Sequence, residues 1–459
     1  MPITMRTLVF LVTVCLTAVP LWVAVEEIDA AWLEFPAVTD PAAAGRMQGG
    51  YGDAPTWPLA YSIPPDVPAF SGVDETPVED DEEEKDDEEE EDEKPLRGLL
   101  GGPFSLGPGT TLAATYTGEL FTNMRGGIST CRATEYLGLV DMVIETDLEA
   151  WGLREGGRFV IHGQHTHGRG LSERYVGDFQ ILSNIDADDL AQISDYWWER
   201  DFLDDRLTVR LGKQDANHDF ALTELAADFI QSSYGFHPTI PMPSYPHSAA
   251  GAVFFLRPAE HWDLRAGVFD GAADGSTWGF SGTGEVFSII EAERQWKLAD
   301  GRWGHVHLSL WYHSGAFDDL ATGEEGALKG NWGFHGGVEQ FLWRRNGSTD
   351  ADDSRGLYGF GQYGWARADR NEAQQYFGAG MMYEGLISGR QRDRAGAGVT
   401  RVIFSDCLPE QSTETAIEVF YKAWLTDWLA VQPDFQYIAR PSGIHRDAFV
   451  YGTRLELIF

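Results

Sequence analysis

The chain has 459 residues, with 72 Asp and Glu against 34 Lys and Arg, for a formal net charge of −38. A surplus of that size repels phosphate backbones, so nucleic acid is not expected as a partner. Past the first 25 residues no apolar run reaches the roughly 18 residues a membrane helix needs. That excludes helical spans there but not a β-barrel, whose strands cross on a weak alternating signal.

In chain order, Arg6 precedes the apolar run Leu8–Val25, which reads as a secretory signal peptide over residues 1–25, cut between Ala24 and Ala31. Cys15 lies inside that run without a lipobox around it. Residues 26–103 carry Pro55, Pro58, Pro64, Pro65 and Pro68, then the acidic stretch Asp74–Lys94. Like charges at this density repel one another and bury nothing, so a disordered, Pro-rich and acidic periplasmic tail is expected. It would serve as a solubilising spacer or as a contact for an envelope partner.

Residues 104–459 read as one all-β domain. From Ala113 onward, alternating segments of about ten residues recur, the length a tilted strand needs to cross a bilayer. Sixteen strands are predicted, eight of them at 113–127, 135–146, 157–167, 191–200, 206–214, 248–257, 262–270 and 288–298. The others are at 303–314, 330–343, 355–367, 374–385, 395–405, 414–424, 429–438 and 448–459. Their connections alternate between short turns, such as 257–261 and 425–428, and long loops at 168–190, 215–247 and 271–287. An even number of antiparallel strands with this rhythm fits a 16-stranded transmembrane outer-membrane β-barrel.

The last strand shows the alternation best. Phe449, Tyr451, Thr453, Leu455, Leu457 and the aromatic Phe459 share one face, while Gly452, Arg454 and Glu456 share the other. Apolar residues would meet lipid and charged ones an aqueous lumen. Segment 215–247 combines a helically spaced stretch, Leu222–Ile230, with Pro238, Pro241 and Pro243, and is expected to fold inward and narrow the barrel. Export leaves Cys131 and Cys407, which follow the first and thirteenth strands and so fall on the same side; a disulfide between them is predicted.

Several polar groups share the lumen face by alternation. They are Asp195, Trp197 and Glu199; Arg210; Glu418 and Lys422; Gln432, Asp434 and Gln436; and Arg454 with Glu456. Carboxylates, amides and guanidinium groups can form hydrogen bonds with sugar hydroxyls, and an aromatic ring can stack on a sugar face. The pairs His165/His167 and His305/His307 also share faces, but no third ligand converges on either, so no metal and no cofactor is expected. No phosphate loop, nucleophile elbow or CxxC motif is present, and the chain is not expected to be an enzyme.

Asp195–Arg200, together with Arg210-Leu211-Gly212-Lys213-Gln214-Asp215 through Phe220, resembles the acidic–aromatic strand and strand end of the carbohydrate-selective porins, the OprB family. Phe229–Gly235 is similar to the loop that follows in that family. The stretch Trp428–Ile438, Pro441-Ser442-Gly443 and Asp447–Phe459 is the closest match. The resemblance spans about residues 113–459 and adds Lys213 and Asp215 to the candidate sugar contacts. It implies a sixteen-stranded monomeric barrel that passes small, glucose-like sugars by passive diffusion past an acidic–arginine–aromatic constriction, and the inward residues above make its lumen polar and net-acidic. A general cation-preferring diffusion porin and a non-transporting structural barrel of the envelope are the alternatives.

Overall fold

The computed structural model describes residues 102–154, 156–345 and 354–459. The signal peptide and all but the last two residues of the acidic tail lie outside the described residues. The alternation dictates strands, and strands are what form. A short β1 (Phe104–Gly107) folds back on β2 (Thr110–Arg125), followed by β3 (Thr134–Asp147), β4 (Arg158–Gly168), β5 (Leu190–Phe202) and β6 (Leu207–Gln214). Next come β7 (Ala249–Ala259), β8 (Trp262–Asp270), β9 (Val286–Lys297), β10 (Trp303–Asp319), β11 (Glu324–Arg344) and β12 (Gly356–Ala366). The wall finishes with β13 (Ala373–Glu384), β14 (Arg394–Phe404), β15 (Thr413–Trp424), β16 (Leu429–Ala439) and β17 (Ala448–Ile458).

Each strand from β2 pairs antiparallel with the next, and β17 returns to β2 with Arg454 opposite Glu119 and Leu455 opposite Gly118. The sixteen strands β2–β17 therefore close on themselves, which leaves none of them an unpaired edge. Two features depart from the expected layout. Strand β1 was not anticipated, and β10 and β11 run on as a longer hairpin, with Ala316 opposite Lys329.

Side chains alternate across the wall as the pleat requires. On β10 the outward Val306, Leu308 and Leu310 are exposed, while His305, His307, Ser309 and Trp311 are buried inside. On β15, Ile417 and Val419 point out, and Glu414 and Glu418 are fully buried. Such burial on an inner face means that something fills the barrel, and the filling is chain. The connections 169–189 and 215–248 supply Leu171, Leu182, Phe220, Phe229, Tyr234 and Phe236 to apolar clusters completed by wall residues. The ring of Phe229 meets Phe420 and Phe360 edge-on at 4.9 and 5.6 Å, contacts worth about 0.5–1.5 kcal/mol each beyond area burial. Gly398 makes room for them, because a Cβ there would lie 2.8 Å from the Tyr234 ring.

Two expectations need correction. Leu222–Ile230 forms no α-helix; only Glu224–Ala226 makes a single 3₁₀ turn, and the Ile230 amide, which a helix would bond to Ala226, goes to Glu418 instead. Cys131 and Cys407 are both free thiols. The loops that carry them lie four strand positions apart around the seam, about 19 Å at ~4.8 Å per strand. A disulfide needs Cα atoms within about 7 Å.

Candidate functional site

The inner wall holds the two inward segments with one repeated device, a carboxylate that accepts two consecutive backbone N–H groups. Glu339 on β11 accepts from the amides of Glu224 and Leu225 at 2.8 and 2.7 Å. Glu418 on β15 accepts from Ile230 and Gln231 at 2.7 and 2.9 Å. Four residues earlier on the same strand, Glu414 accepts from Phe179 and Gln180 at 2.7 and 2.9 Å. Glu291 on β9 takes the Ala221 amide at 2.8 Å, the Ser309 hydroxyl at 2.6 Å and a guanidinium nitrogen of Arg265 at 2.9 Å. Buried amides need acceptors, and charged acceptors bind them more strongly than neutral ones. The wall residue and the loop residue in each pair are mutually dependent.

The short-turn end of the barrel carries the charged groups. Glu199 bridges two guanidinium groups, with Arg158 at 2.6 Å and Arg210 at 2.7 Å. Both arginines lie over the Trp197 ring, 5.2 and 4.3 Å from its centroid. Arg210 also pairs with Asp219 of the inward segment at 2.7 Å, and Arg265 spans Glu291 and Glu293. Across the barrel, Asp228 at the tip of the segment sits between Lys422 and Arg394, each at 2.9 Å, and Lys422 reaches Glu456 at 2.6 Å. Arg158 and Arg394 are more than two-fifths exposed at the side chain, whereas Arg210, Lys422 and Asp228 are nearly covered.

The structure thus joins some of the sequence candidates and separates others. Trp197, Glu199 and Arg210 form one constellation. Lys422 and Glu456 form another, beside Gln432, whose amide donates to the Asp228 carbonyl at 2.7 Å. Gln436 donates to Leu182 O at 2.9 Å and to Asp434 at 3.1 Å, and Arg454 pairs with Glu119 and Asn184. These residues hold the inward segments or one another. Asp195 is taken by His162 at 3.1 Å, and Asp215 caps the turn Ala216–His218 and accepts the Tyr245 amide at 3.0 Å.

Lys213 stands apart from the lumen set. It lies opposite Tyr196, on the face away from Trp197, and donates to Gly275 O at 2.5 Å. The pleat, with Arg210 facing in, puts a residue three places on at the other face. Its assignment as a pore-lining group is corrected accordingly. The histidine pairs divide similarly. His165 and His167 stack outside near Tyr116, while His305 and His307 face in.

Sequence reasoning missed Glu119, Glu291, Glu339 and Glu414. The one available signal was phase: Glu414 and Glu418 are an even number of residues apart on one strand, as are Glu291 and Glu293. Electrostatics differ between the two inward segments. Burial alone would raise the Asp228 carboxyl, but Lys422 and Arg394 hold it well below the usual range. Burial pushes Asp186 up to about 7, helped by Glu119, Glu173 and Asp188. Asp178 is likewise raised by burial and by Glu414.

With this geometry in hand, comparisons place the chain among known proteins. A family model described as carbohydrate-selective porin, OprB family, matches residues 132–459. Porin B of Pseudomonas aeruginosa is 23% identical over 403 residues, which span 75% of this chain and 86% of that protein. A high-pH structure of Pseudomonas putida OprB aligns at a TM-score of 0.70 and 21% identity, covering 77% of this chain and 94% of that one. A low-pH structure of the same protein gives 0.52 and 17% over 77% and 93%. At these identities the structural likeness speaks for the fold alone.

Proposed function

The chain belongs to the carbohydrate-selective porin family, OprB, and from that membership we propose that it is an outer-membrane channel for passive diffusion of small, glucose-like sugars. Residues 1–25 direct export and are removed. The long-loop end faces outward, and the acidic tail lies in the periplasm, free or against an envelope partner. The segments 169–189 and 215–248 constrict the lumen. No chemistry is performed on the permeant, and no cofactor or metal takes part. The barrel works as a monomer.

The observation that carries this reading is the Trp197 constellation. An aromatic ring with Arg158 and Arg210 over it and Glu199 between their guanidinium groups offers apolar ring contact and fixed hydrogen-bonding groups in one place. Contacts of this kind can select a sugar and still release it. Glu199, Arg210, Glu418, Lys422 and Glu456 line the route or shape it through the loop. In liposome swelling, Trp197→Ala should slow glucose entry about threefold, which corresponds to the ~0.6–0.7 kcal/mol expected of one lost weak aromatic contact. Small-ion conductance should stay within a factor of two. Equal sugar rates in both proteins would remove the constellation from the mechanism.

A second reading has an observation of its own. Carboxylates outnumber cations on the inner face, with Glu199, Glu291, Glu293, Glu339, Glu414 and Glu418 all buried there. This favours a pore that prefers cations over anions. Reversal potentials in a salt gradient would separate that preference from sugar selectivity.

A further inference from the structure

Three histidines meet where the inward segment touches the wall. His237 of segment 215–248 stacks on His335 of β11 at 3.6 Å between ring centroids, and His335 in turn lies 5.0 Å from His307 of β10. His237 and His335 are fully buried and His307 nearly so. His237 Nε2 donates to Ala221 O at 3.1 Å, which leaves Nδ1 as the unprotonated nitrogen, and Nδ1 has no partner. Both nitrogens of His335 and Nε2 of His307 are also unpaired. Gly337 makes the site possible, because a Cβ there would come within 2.5 Å of the His307 ring.

Buried polar atoms are nearly always bonded, and a cluster of exceptions calls for a reason. Stacked neutral imidazoles tolerate this dry contact. A second proton on any ring would add a positive charge and an N–H group with no acceptor, beside two neighbours that can also charge. The surroundings offer partial compensation only. Around His237 stand Tyr376 of β13 and the Ala221 carbonyl. His307 lies within electrostatic reach of His305, Glu291, Glu293 and Glu339. Glu339 is already committed to two loop amides and His305, and Glu291 to Ala221, Ser309 and Arg265.

We propose that this imidazole stack is a proton-operated latch: its neutral rings hold segment 215–248 against the wall, and protonation in acid frees that part of the segment and widens the passage. The inference rests on the reading of that segment as the constriction. Burial, with His307 nearby, holds the His237 imidazole down to about 3 from an ordinary 6.5. The stability this ring gives the docked segment is therefore complete above about pH 6.5 and is lost as pH falls toward 3. Each pH unit in that window shifts the balance about tenfold against docking for each ring so held.

The test is single-channel conductance of the full chain in planar bilayers from pH 7 to pH 4, compared with His335→Phe, which keeps a flat ring at the centre of the stack and cannot titrate. Both proteins carry the same lumen carboxylates, so their titration cancels in the comparison. Wild-type conductance should rise reversibly, severalfold, while His335→Phe should show less than half that rise. His237→Gln provides a second variant should His335→Phe fail to fold, and it should flatten the profile likewise. A wild-type profile flat in pH, or one retained by both variants, overturns the latch while leaving the channel reading intact. A protein that conducts at no pH overturns both.

Discussion

The two segments that enter the barrel are anchored alike and charged differently. Segment 169–189 hangs from Glu414 by the Phe179 and Gln180 amides, and segment 215–248 hangs from Glu339 and Glu418 by two amide pairs. The first carries carboxyls pushed up by burial, Asp178 and Asp186. The second also has carboxyls raised by burial, Asp215 and Glu224, but adds a carboxylate stabilised by two cations, Asp228, and a histidine held neutral, His237. The backbone grip provides attachment, and the titrating side chains set the conditions under which it holds. Acid should tighten the first segment through its raised carboxyls and loosen the second where Asp228 and His237 hold it.

Breaking the cation side of the second segment should matter most. Lys422→Met leaves Asp228 and Glu456 buried with one fewer cation, and a broken buried pair costs about 3–5 kcal/mol. The expected result is a clear drop in the thermal transition and larger current noise; an unchanged transition would mean that Arg394 alone suffices. Next comes the grip itself. Glu418→Gln replaces one of the two oxygens that accept loop amides with an NH₂ group, at an expected cost of about 2 kcal/mol. Protease sensitivity should rise most within 215–248 and less within 169–189, whose Asn184 amide and Ile181 carbonyl bond Ile230 and Ser232 of the other segment; unchanged sensitivity in both would show that Glu418 does not hold the segment.

The pH contrast can be sharpened on the other segment. Asp186 has a raised value in the docked state, so docking is favoured below about 4 and weakens as pH rises through about 7. Asp186→Asn should remove that weakening, so that protease resistance of 169–189 at pH 8 exceeds wild type and matches it at pH 5. A pH-independent difference would refute the titration. The smallest effect is expected at the thiols. The wild-type chain should run at the same gel mobility with and without reductant and match Cys131→Ser in both, since the two cysteines are unpaired; a reductant-dependent shift in wild type alone would show a bridge.

The wall was legible in the sequence because its signal is local. Alternation such as Leu455–Glu456–Leu457 needs no partner to be read, and the sixteen expected strands fall within a few residues of β2–β17. The hairpin beyond His313 was not legible, since strands that leave the bilayer lose the apolar face that marks them. The grip was hidden for another reason. Glu339 and Glu224 lie 115 residues apart, and Glu418 and Ile230 lie 188 apart, so neither end announces its partner. Phase put Glu418, Lys422, Gln432 and Gln436 on the inner face. It could not say that groups of the inward segments, rather than solute, would occupy them. The Cys131–Cys407 expectation took the shared side and the nearness of the first and fourteenth strands across the seam as sufficient, and four strand positions proved too far for a bridge.

The most direct test of the account is uptake of labelled glucose by liposomes that contain the purified full chain, with dextran too large for a sixteen-stranded barrel as the control. Glucose should equilibrate far faster than in empty liposomes while dextran stays outside. Protein-containing liposomes that take up glucose no faster than empty ones would contradict the claim that this barrel, with its two inward segments, is a sugar channel.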